Sequence, residues 1–390
     1  MKVFYAPDTS DHPNWGCRFM GDWYWRELGR RGAKPTWKLG SRWFFRLPEG
    51  MPEPQSWSDV QRIGEAVRHG PLRLGPITEA LAACDLVVMN GENFIRPRAL
   101  KGRMLLLFAH LASQVFGKRC ILTNLSLDLS DPDLSGIAQR VLPGLAEVHV
   151  REEVSQATYA AHVAGPPARL FADPGWTARP SPLVEWGGLA RRDGHFSAWP
   201  DVVEGFDPFA PYVTLGASSA FASDTGSLRD AVPAFVELAR RLRASGPQVL
   251  LVASCEVDAI LLRKVAARTG LPLLGLNVPV TQAIDVLGHA RLHLGGRWHP
   301  GIFATTGGTP LVAFSSNNHK MRTLMGRLQP EEPVFDVCQL GACLDQVLAR
   351  AGAQLAAGER LREELRSRAA VMASRVTGSL DGVLATADRE

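Results

Sequence analysis

Short apolar runs alternate along the chain with longer stretches whose apolar residues recur at helical spacing. In the first half, the apolar runs predict strands at residues 2–7, 85–91, 120–127, 147–152 and 168–173. Residues 99–118 are apolar on most sides, which predicts a buried helix between two of these strands. Strands that alternate with helices are typical of a parallel sheet with crossover helices. The first half of the chain is therefore predicted to be an α/β domain.

The second half repeats this alternation after an interruption. Residues 174–210 are rich in Pro, Gly and Asp and follow neither period, which is typical of a domain connection. The second set of predicted strands covers residues 212–218, 248–254, 271–276, 291–296 and 310–316. A long, charged amphipathic helix is predicted near the C-terminus, at about residues 353–373. We expect two Rossmann-like domains, at residues 1–178 and 211–390, which are joined by a linker at residues 179–210 and face a cleft.

Length and composition agree with two domains and exclude several classes of protein. A chain of 390 residues with 46% hydrophobic and 21% charged residues can fill two ordinary cores. The six cysteines form no CxxC pair, so we expect reduced thiols and neither a disulfide framework nor a metal site. The first residues lack the apolar segment of a signal peptide, and no run approaches the ~20 apolar residues of a membrane span. We therefore expect a cytoplasmic protein.

Charge is concentrated at the N-terminal end of the chain. Residues 1–46 hold nine basic and four acidic side chains together with five tryptophans, while the whole chain carries a net charge of only +4. One interpretation is a surface for an anionic carbohydrate or an anionic lipid, and the other is a solvated basic face over a Trp-rich core. We expect no nucleic-acid partner, and peripheral contact with a membrane is a hypothesis.

Residues 291–301 are the first candidate site. A buried strand ends on two glycines, and Pro300 is suited to the first turn of a following helix. Arg297 and His299 would then lie at a helix N-terminus, where free N–H groups favour an anion. Arg can bind a phosphate or a carboxylate with two hydrogen bonds, and His can hold or pass a proton. Alternatively, Arg297 pairs with a local carboxylate and His299 caps the turn.

A similar arrangement follows the next predicted strand. Ser315 opens a polar turn, and Lys320 stands in the first turn of the following helix, where a cation opposes the helix dipole. A bound anion would remove that conflict, and a solvated lysine is the alternative. In the first half, Arg151 ends a predicted strand, although the neighbouring Glu152 could simply pair with it.

The first half also holds polar loops at predicted strand ends. The loop after the first strand, DHPNWGCR, does not match GxGxxG, so a dinucleotide-binding site is not supported. Glu92 and Asn93 follow the second predicted strand and could receive sugar hydroxyls, with Glu92 acting as a general base or simply holding the loop together. The chain contains no GxSxG, HExxH or GxxxxGK[ST] motif.

Several of these stretches, in the same order, resemble the motifs of the polysaccharide pyruvyl transferase family. The most specific is GGRWHPGIFATTGGTPLVAFSSNNHKMRTLM, which is similar to that family's R-x-H…G-x-P-x-V…K block. DLVVMNGENF, VHVREEVS, FADPGW and NWGCRFMGDW resemble its other motifs, so the likeness spans about residues 14–330. Where the family usually has Gly-Gly, this chain has Gly91-Glu92.

The resemblance implies a glycosyltransferase-B-like fold and transfer of a pyruvyl group from phosphoenolpyruvate onto a pair of sugar hydroxyls as a ketal. We expect no cofactor besides this co-substrate and no metal-ligating residues, whereas metal dependence does not follow from the sequence. His299 is then the candidate catalytic acid, and the acceptor is a sugar or glycan that could be lipid-linked. The candidate donor-binding residues are Arg151, Arg297, Lys320 and Ser315. The candidate acceptor-binding residues are Asn14, Trp15, Arg18, Glu92 and Asn93.

Two other functions remain open at this stage. A glycosyltransferase of the same fold could use the basic residues of the second domain to bind the diphosphate of a nucleotide sugar. A non-catalytic carbohydrate-binding relative could keep the fold without turnover. The acceptor sugar, the stereochemistry of the ketal and the oligomeric state do not follow from the sequence.

Overall fold

The fold is taken from a computed structural model, which describes residues 1–190, 198–199, 206–207, 209–222 and 225–381. The chain forms two compact units. The first unit comprises Met1–His12, Cys17–Pro174 and Ser374–Glu390, and the second comprises Pro13–Gly16 and Gly175–Ala373. Part of the predicted linker at residues 179–210 lies outside the residues that the structure describes.

The first unit is built on a parallel sheet of six strands in the order β2-β1-β3-β4-β5-β6. The strands are β1 Lys2–Asp8, β2 Lys34–Gly40, β3 Leu86–Asn90, β4 Arg119–Leu125, β5 Glu147–Val150 and β6 Arg169–Leu170. The helices are α1 Trp15–Arg30, α2 Arg42–Phe45, α3 Trp57–Arg68, α4 Pro76–Ala83, α5 Leu100–His110, α6 Pro132–Val141 and α7 Glu153–His162. The register of β1 places Val3 beside Leu86 and Tyr5 beside Val88.

Both faces of this sheet are covered. One face packs Phe4, Val87 and Leu122 against helices α3, α5 and α6, and the other packs Val3, Tyr5 and Val88 near α1. Because strands buried on both sides need no polar alternation, β3 and β4 appear in the sequence as continuous apolar runs. The strand prediction found them for this reason.

The second unit has a seven-stranded sheet in the order β13-β12-β11-β8-β9-β10-β7. Its strands are β7 Ala198–Trp199, β8 Tyr212–Ser218, β9 Gln248–Val252, β10 Leu273–Leu274, β11 Leu292–Gly296, β12 Leu311–Phe314 and β13 Val334–Phe335. All are parallel except β7, which pairs antiparallel with β10. The helices are α8 Leu183–Ala190, α9 Thr225–Ala244, α10 Glu256–Thr269, α11 Val280–His289, α12 Trp298–Thr306, α13 Lys320–Leu328, α14 Leu340–Ala356 and α15 Gly358–Ser374.

The C-terminal part of the chain contains two consecutive helices. Gly358 separates α14 from α15 with a φ of +63°, a left-handed conformation that glycine adopts at little cost. The predicted helix near residues 353–373 corresponds to α15, which begins at Gly358. After α15, a short 3-10 helix spans Thr377–Leu380 in the first unit. Among the helices described, none is both long enough and apolar enough to cross a bilayer.

Candidate functional site

In the first unit, polar side chains gather at the carboxyl ends of the parallel strands, where ligands of open α/β sheets bind. Glu92 follows β3 and is buried, with 5% of its surface exposed. Its carboxylate accepts hydrogen bonds from Thr9 Oγ1 at 2.9 Å, Cys17 Sγ at 3.0 Å and Asn90 Nδ2 at 3.2 Å. The cluster therefore presents a carboxylate that is fixed by three donors.

Glu92 also adopts an unusual backbone conformation. Its φ is +38°, in the left-handed region that favours glycine. This explains in physical terms why a glycine suits the position in the related motif. Strained backbone conformations of this kind cluster at functional sites.

The thiol of Cys17 serves as a donor in this cluster. Burial raises its pKa well above the ordinary value, and the nearby charge of Glu92 raises the pKa further. At neutral pH Cys17 is therefore a thiol and not a thiolate, which makes it a poor nucleophile.

Arg151 follows β5 and is buried together with two acids. Its Nη1 donates to Asp173 Oδ2 at 2.7 Å, and its Nε donates to Ser126 Oγ at 2.8 Å. Glu152 lies 3.7 Å from its Nε. Although burial opposes the charge, Asp173 and Glu152 raise the pKa of Arg151, so the residue stays protonated. This ion pair joins the VHVREEVS and FADPGW motifs.

In the second unit, Arg297 is the N-cap of α12 and pairs with a carboxylate from α10. Its Nε and Nη2 donate to the same oxygen of Asp258, at 3.0 and 2.7 Å. Burial opposes its charge, but Asp258 raises the pKa of Arg297 and keeps it protonated. Arg297 thus pairs with a carboxylate, as the sequence left open, but the partner lies 39 residues away along the chain. Donor binding by Arg297 stays a prediction.

His299 lies in the first turn of α12 and is 8% exposed. Gly16, from the Pro13–Gly16 segment of the second unit, packs directly on its imidazole. A Cβ atom added to Gly16 would lie 1.8 Å from His299 Nδ1, so only glycine fits this arrangement. The backbone of the same segment is fixed by a hydrogen bond from Trp15 N to Ser254 O, at 3.1 Å, and by a bridge between Asn14 and Cys255.

The turn after β12 is ordered by its own polar groups. Ser316 Oγ donates to Asn318 O at 2.7 Å, and the Lys320 N–H donates to Asn318 Oδ1 at 3.1 Å. Lys320 is buried, with 9% of its surface exposed, in the first turn of α13. Ser315 Oγ donates to Asp336 Oδ1 at 3.3 Å and accepts a hydrogen bond from the Val337 N–H at 3.1 Å. These bonds fix the turn to the segment that follows β13.

His299 and Lys320 thus stand in the first turns of two helices that follow adjacent parallel strands, β11 and β12. Helix N-termini offer free N–H groups to an anion. A buried lysine in a first turn is a further feature of an anion site, because a bound anion would offset the conflict between its charge and the helix dipole. This part of the second unit, residues 297–320, is named the basic corner.

The remaining predicted acceptor residues differ in how far they are exposed. Trp15 is fully buried, and Asn14 is partly exposed beside it in the second unit. Arg18 lies in α1 of the first unit, and Asn93 follows Glu92; both are partly exposed. In the described ranges, no group of three or more His, Cys, Asp or Glu side chains is arranged to hold a metal ion.

Sequence reasoning missed several residues of these sites. Asp258, Asp173 and Thr9 hold Arg297, Arg151 and Glu92 in place, but each lies far from its partner along the chain. Lys101 was also missed. Its ammonium lies in the first turn of α5, 4.6 Å from the ring centroid of Phe94. The available signal was the basic stretch FIRPRALKGR directly after the NGEN loop.

Comparison with solved structures supports the fold. A UDP-N-acetylglucosamine 2-epimerase from Neisseria meningitidis matches 99% of this chain and 100% of its own, with a TM-score of 0.58 and 10% identity. A putative UDP-N-acetylglucosamine 2-epimerase from Listeria monocytogenes matches 97% of this chain and 95% of its own, with a TM-score of 0.56 and 11% identity.

A third match is the spinosyn rhamnosyltransferase SpnG in complex with thymidine diphosphate. It covers 97% of this chain and 96% of its own, with a TM-score of 0.52 and 13% identity. At such identities these likenesses concern the fold alone. They confirm the predicted class of two Rossmann-like, glycosyltransferase-B-like domains.

The sequence itself defines the family. Residues 7–318 match the model of the polysaccharide pyruvyl transferase family. The chain therefore belongs to the polysaccharide pyruvyl transferase family, which confirms the resemblance found from its motifs. Comparison with curated protein sequences finds no significant match.

Proposed function

We propose that this protein transfers the pyruvyl group of phosphoenolpyruvate onto two hydroxyls of a sugar or glycan, forming a cyclic ketal and releasing phosphate. The observation that carries this proposal is the basic corner, where His299 and Lys320 occupy the first turns of neighbouring helices. Membership of the polysaccharide pyruvyl transferase family supports this proposal. We further propose that the protein acts in the cytoplasm without a cofactor.

Phosphoenolpyruvate suits this corner because it carries a phosphate and a carboxylate close together. In our proposal the Lys320 ammonium and the N-terminal ends of α12 and α13 neutralise these two anions. Arg297 would contribute from the N-cap of α12, while its bond to Asp258 keeps the guanidinium oriented. Arg151 of the first unit is bound to Asp173, and its part in donor binding stays a proposal.

The reaction requires one proton to reach carbon and one phosphate to leave. One sugar oxygen bonds to C2 of phosphoenolpyruvate while C3 takes up a proton and becomes a methyl group. The second sugar oxygen then bonds to C2 as the C2–O bond to phosphate breaks. The two hydroxyl protons balance the proton on C3 and the proton that the phosphate carries away. We assign His299 as the acid that gives C3 its proton.

The acceptor belongs to the first unit in this proposal. The Glu92 carboxylate, held by Thr9, Cys17 and Asn90, is suited to accept a proton from an attacking sugar hydroxyl. Asn93 follows Glu92 in the loop after β3, and Arg18 follows Cys17 in α1. We propose that both side chains contact the sugar. Asn14 and Trp15 would act indirectly, because their segment sets the position of Gly16 against His299.

A comparison of wild type with His299→Gln tests the proposal. Wild type should bind phosphoenolpyruvate in calorimetry and should release phosphate when a suitable glycan is supplied. Loss of a general acid typically costs 10²–10⁴-fold in rate, so His299→Gln should lower phosphate release by at least about 100-fold. His162→Gln, at an exposed position of α7, is the matched control and should behave as wild type.

Two results would contradict the proposal. The first is a wild-type protein that does not bind phosphoenolpyruvate but binds a nucleoside diphosphate tightly, which would favour a nucleotide-sugar glycosyltransferase. The second is an unchanged rate in His299→Gln, which would exclude this residue as the acid.

A further inference from the structure

The loop after β3 and the first turn of α5 together carry four basic residues, Arg96, Arg98, Lys101 and Arg103, and they differ in their partners. Arg103 forms ion pairs with Glu53 at 3.2 Å and with Asp131 at 3.5 Å. Arg98 is exposed. Within the described part of the chain, Arg96 and Lys101 form no ion pair with a carboxylate, although both are only partly exposed. Partly buried cations without a carboxylate partner are costly, which points to a ligand.

The ammonium group of Lys101 lies near two aromatic rings. Its Nζ lies 4.6 Å from the ring centroid of Phe94 and 5.4 Å from that of Phe45. Aromatic faces attract an ammonium, but they leave its N–H groups without hydrogen-bond acceptors. The first turn of α5 adds backbone N–H groups, because its N-cap, Ala99, provides no side-chain cap. Lys101 thus combines with a helix N-terminus that can receive an anion.

Arg96 strengthens the positive field at this point. Its Nε is buried and has no hydrogen-bond partner among the described residues. Burial, and after it the neighbouring positive charge of Arg96, lower the pKa of Lys101 to about 8, although the negative charge of Glu92 acts in the opposite direction. Two cations that repel each other at a partly buried position would both gain from an anion between them.

These cations adjoin the Glu92 cluster. Glu92 and Arg151 are among the groups whose charges act on the pKa of Lys101, and Cys17 donates to Glu92 in the same cluster. Phe94 is two residues beyond Glu92 and packs in the core of the first unit. The aromatic and cationic groups therefore lie next to the carboxylate that we assign to the acceptor hydroxyl.

We propose that Arg96, Lys101 and the N-terminus of α5 form an anion-binding site in the first unit, and that this site holds an anionic group of the acceptor. The inference rests on the proposed function, because it assigns the acceptor to this unit. The shared chemistry is that of a phosphate or carboxylate near the reacting sugar. A phosphate would come from a lipid-linked glycan, and a carboxylate would come from an acidic sugar.

Calorimetric titrations of the full chain with two probes test this site. Inorganic pyrophosphate represents the phosphate source and glucuronic acid the carboxylate source, and both are titrated in the presence of saturating phosphoenolpyruvate to keep the basic corner occupied. Lys101→Met and Arg96→Gln should each lower the affinity for the probe by at least about tenfold, which is the effect of losing one charge-assisted hydrogen bond. Lys264→Met removes a charge from an exposed position of α10 and should have no effect.

Lysine titration gives a second readout. The affinity of wild type for the probe should fall as the pH rises through about 8, since Lys101 then loses its proton. Arginine stays protonated in this range, so Lys101→Arg should retain its affinity there. Groups that face Lys101 and could contribute to the pH profile are Glu92, Cys17, Arg96 and Arg151.

The outcomes separate this inference from the proposed function. If Lys101→Met and Arg96→Gln bind pyrophosphate more weakly than wild type does, the site is supported and its ligand is a phosphate. If they instead bind glucuronic acid more weakly than wild type does, the ligand is a carboxylate. If both probes bind Lys101→Met and Arg96→Gln as they bind wild type, or if neither probe binds wild type, the site is refuted. Binding of phosphoenolpyruvate should be unchanged in Lys101→Met, and its failure in wild type would instead refute the proposed function.

Discussion

Gly16 shows how one residue without a side chain can fix the position of a candidate catalytic group. Its Cα packs on the imidazole of His299, and an added Cβ would overlap the ring. The histidine also contacts the Phe303 ring, with centroids 6.1 Å apart, so it is held from two sides. The glycine of the NWGC motif is therefore required by packing and not by backbone conformation.

We predict that Gly16→Ala displaces the His299 ring. Overpacking in a buried site typically costs about 1–3 kcal/mol of stability, and the displaced imidazole should also lower phosphate release. Gly29→Ala is the control, because Gly29 lies in the same helix, α1, with no atom within 4 Å of an added Cβ. The free energy of unfolding from urea denaturation and the rate of phosphate release measure the two effects. Equal stability and activity in the two variants would contradict the packing argument.

At the scale of elements, the short 3-10 helix Thr377–Leu380 ties the end of the chain to the first unit. Leu380 is fully buried and packs with Val3 and Tyr5 of β1. Arg31, directly after α1, donates to Asp381 Oδ1 and to Thr377 O, both at 2.6 Å. The core of the first unit is therefore completed by residues from the opposite end of the sequence.

Leu380→Ala should destabilise the protein by about 2–5 kcal/mol, the usual cost of a large-to-small change in a core. Urea denaturation measures the loss. Val371→Ala, at a position of α15 that is 53% exposed, is the matched control and should change stability by less than about 0.5 kcal/mol. A small effect of Leu380→Ala would mean that this element adds little to the core.

At the scale of the whole molecule, buried histidines occur in both units. Burial lowers the pKa values of His110 and His149 in the first unit and of His289 and His293 in the second. For His293 the pKa falls to about 4, and its Nδ1 lies 2.9 Å from Thr214 Oγ1. Folding therefore favours the neutral form of all four histidine rings.

The protein should accordingly lose stability in mild acid. As the pH falls from about 6.5 towards 4, the unfolded chain binds protons at these histidines that the folded protein does not bind, so the free energy of unfolding decreases. His293 alone should account for about 3 kcal/mol of this decrease at pH 4.

The slope of stability against pH tests this effect. His293→Gln removes the titrating group, so the decrease between neutral pH and pH 4 should become smaller, whatever the absolute stability of the variant. His162→Gln removes an exposed histidine and should leave the slope unchanged. A slope in His293→Gln equal to that of wild type would show that the ring does not titrate as its burial predicts.

The sequence by itself determined the α/β class and most strands of both sheets. Strand β8 was predicted with its observed ends, Tyr212–Ser218, because a strand buried on both faces is a continuous apolar run. Strand β2 was missed, because Lys34–Gly40 is a half-exposed edge strand whose Pro and Trp hide its alternation. Strands β7 and β13, with two residues each, were also missed.

The basic corner was also determined locally. Arg297, His299 and Lys320 lie within a turn of two predicted helix starts, and spacing along the chain is enough to place them there. Only the tertiary structure decided which groups hold these and the other site residues: Asp258 for Arg297, Asp173 for Arg151, Gly16 for His299, and Phe94 for Lys101. The physical reason is that strand and helix starts follow from local periodicity, whereas partners of buried charges are chosen by packing between distant segments.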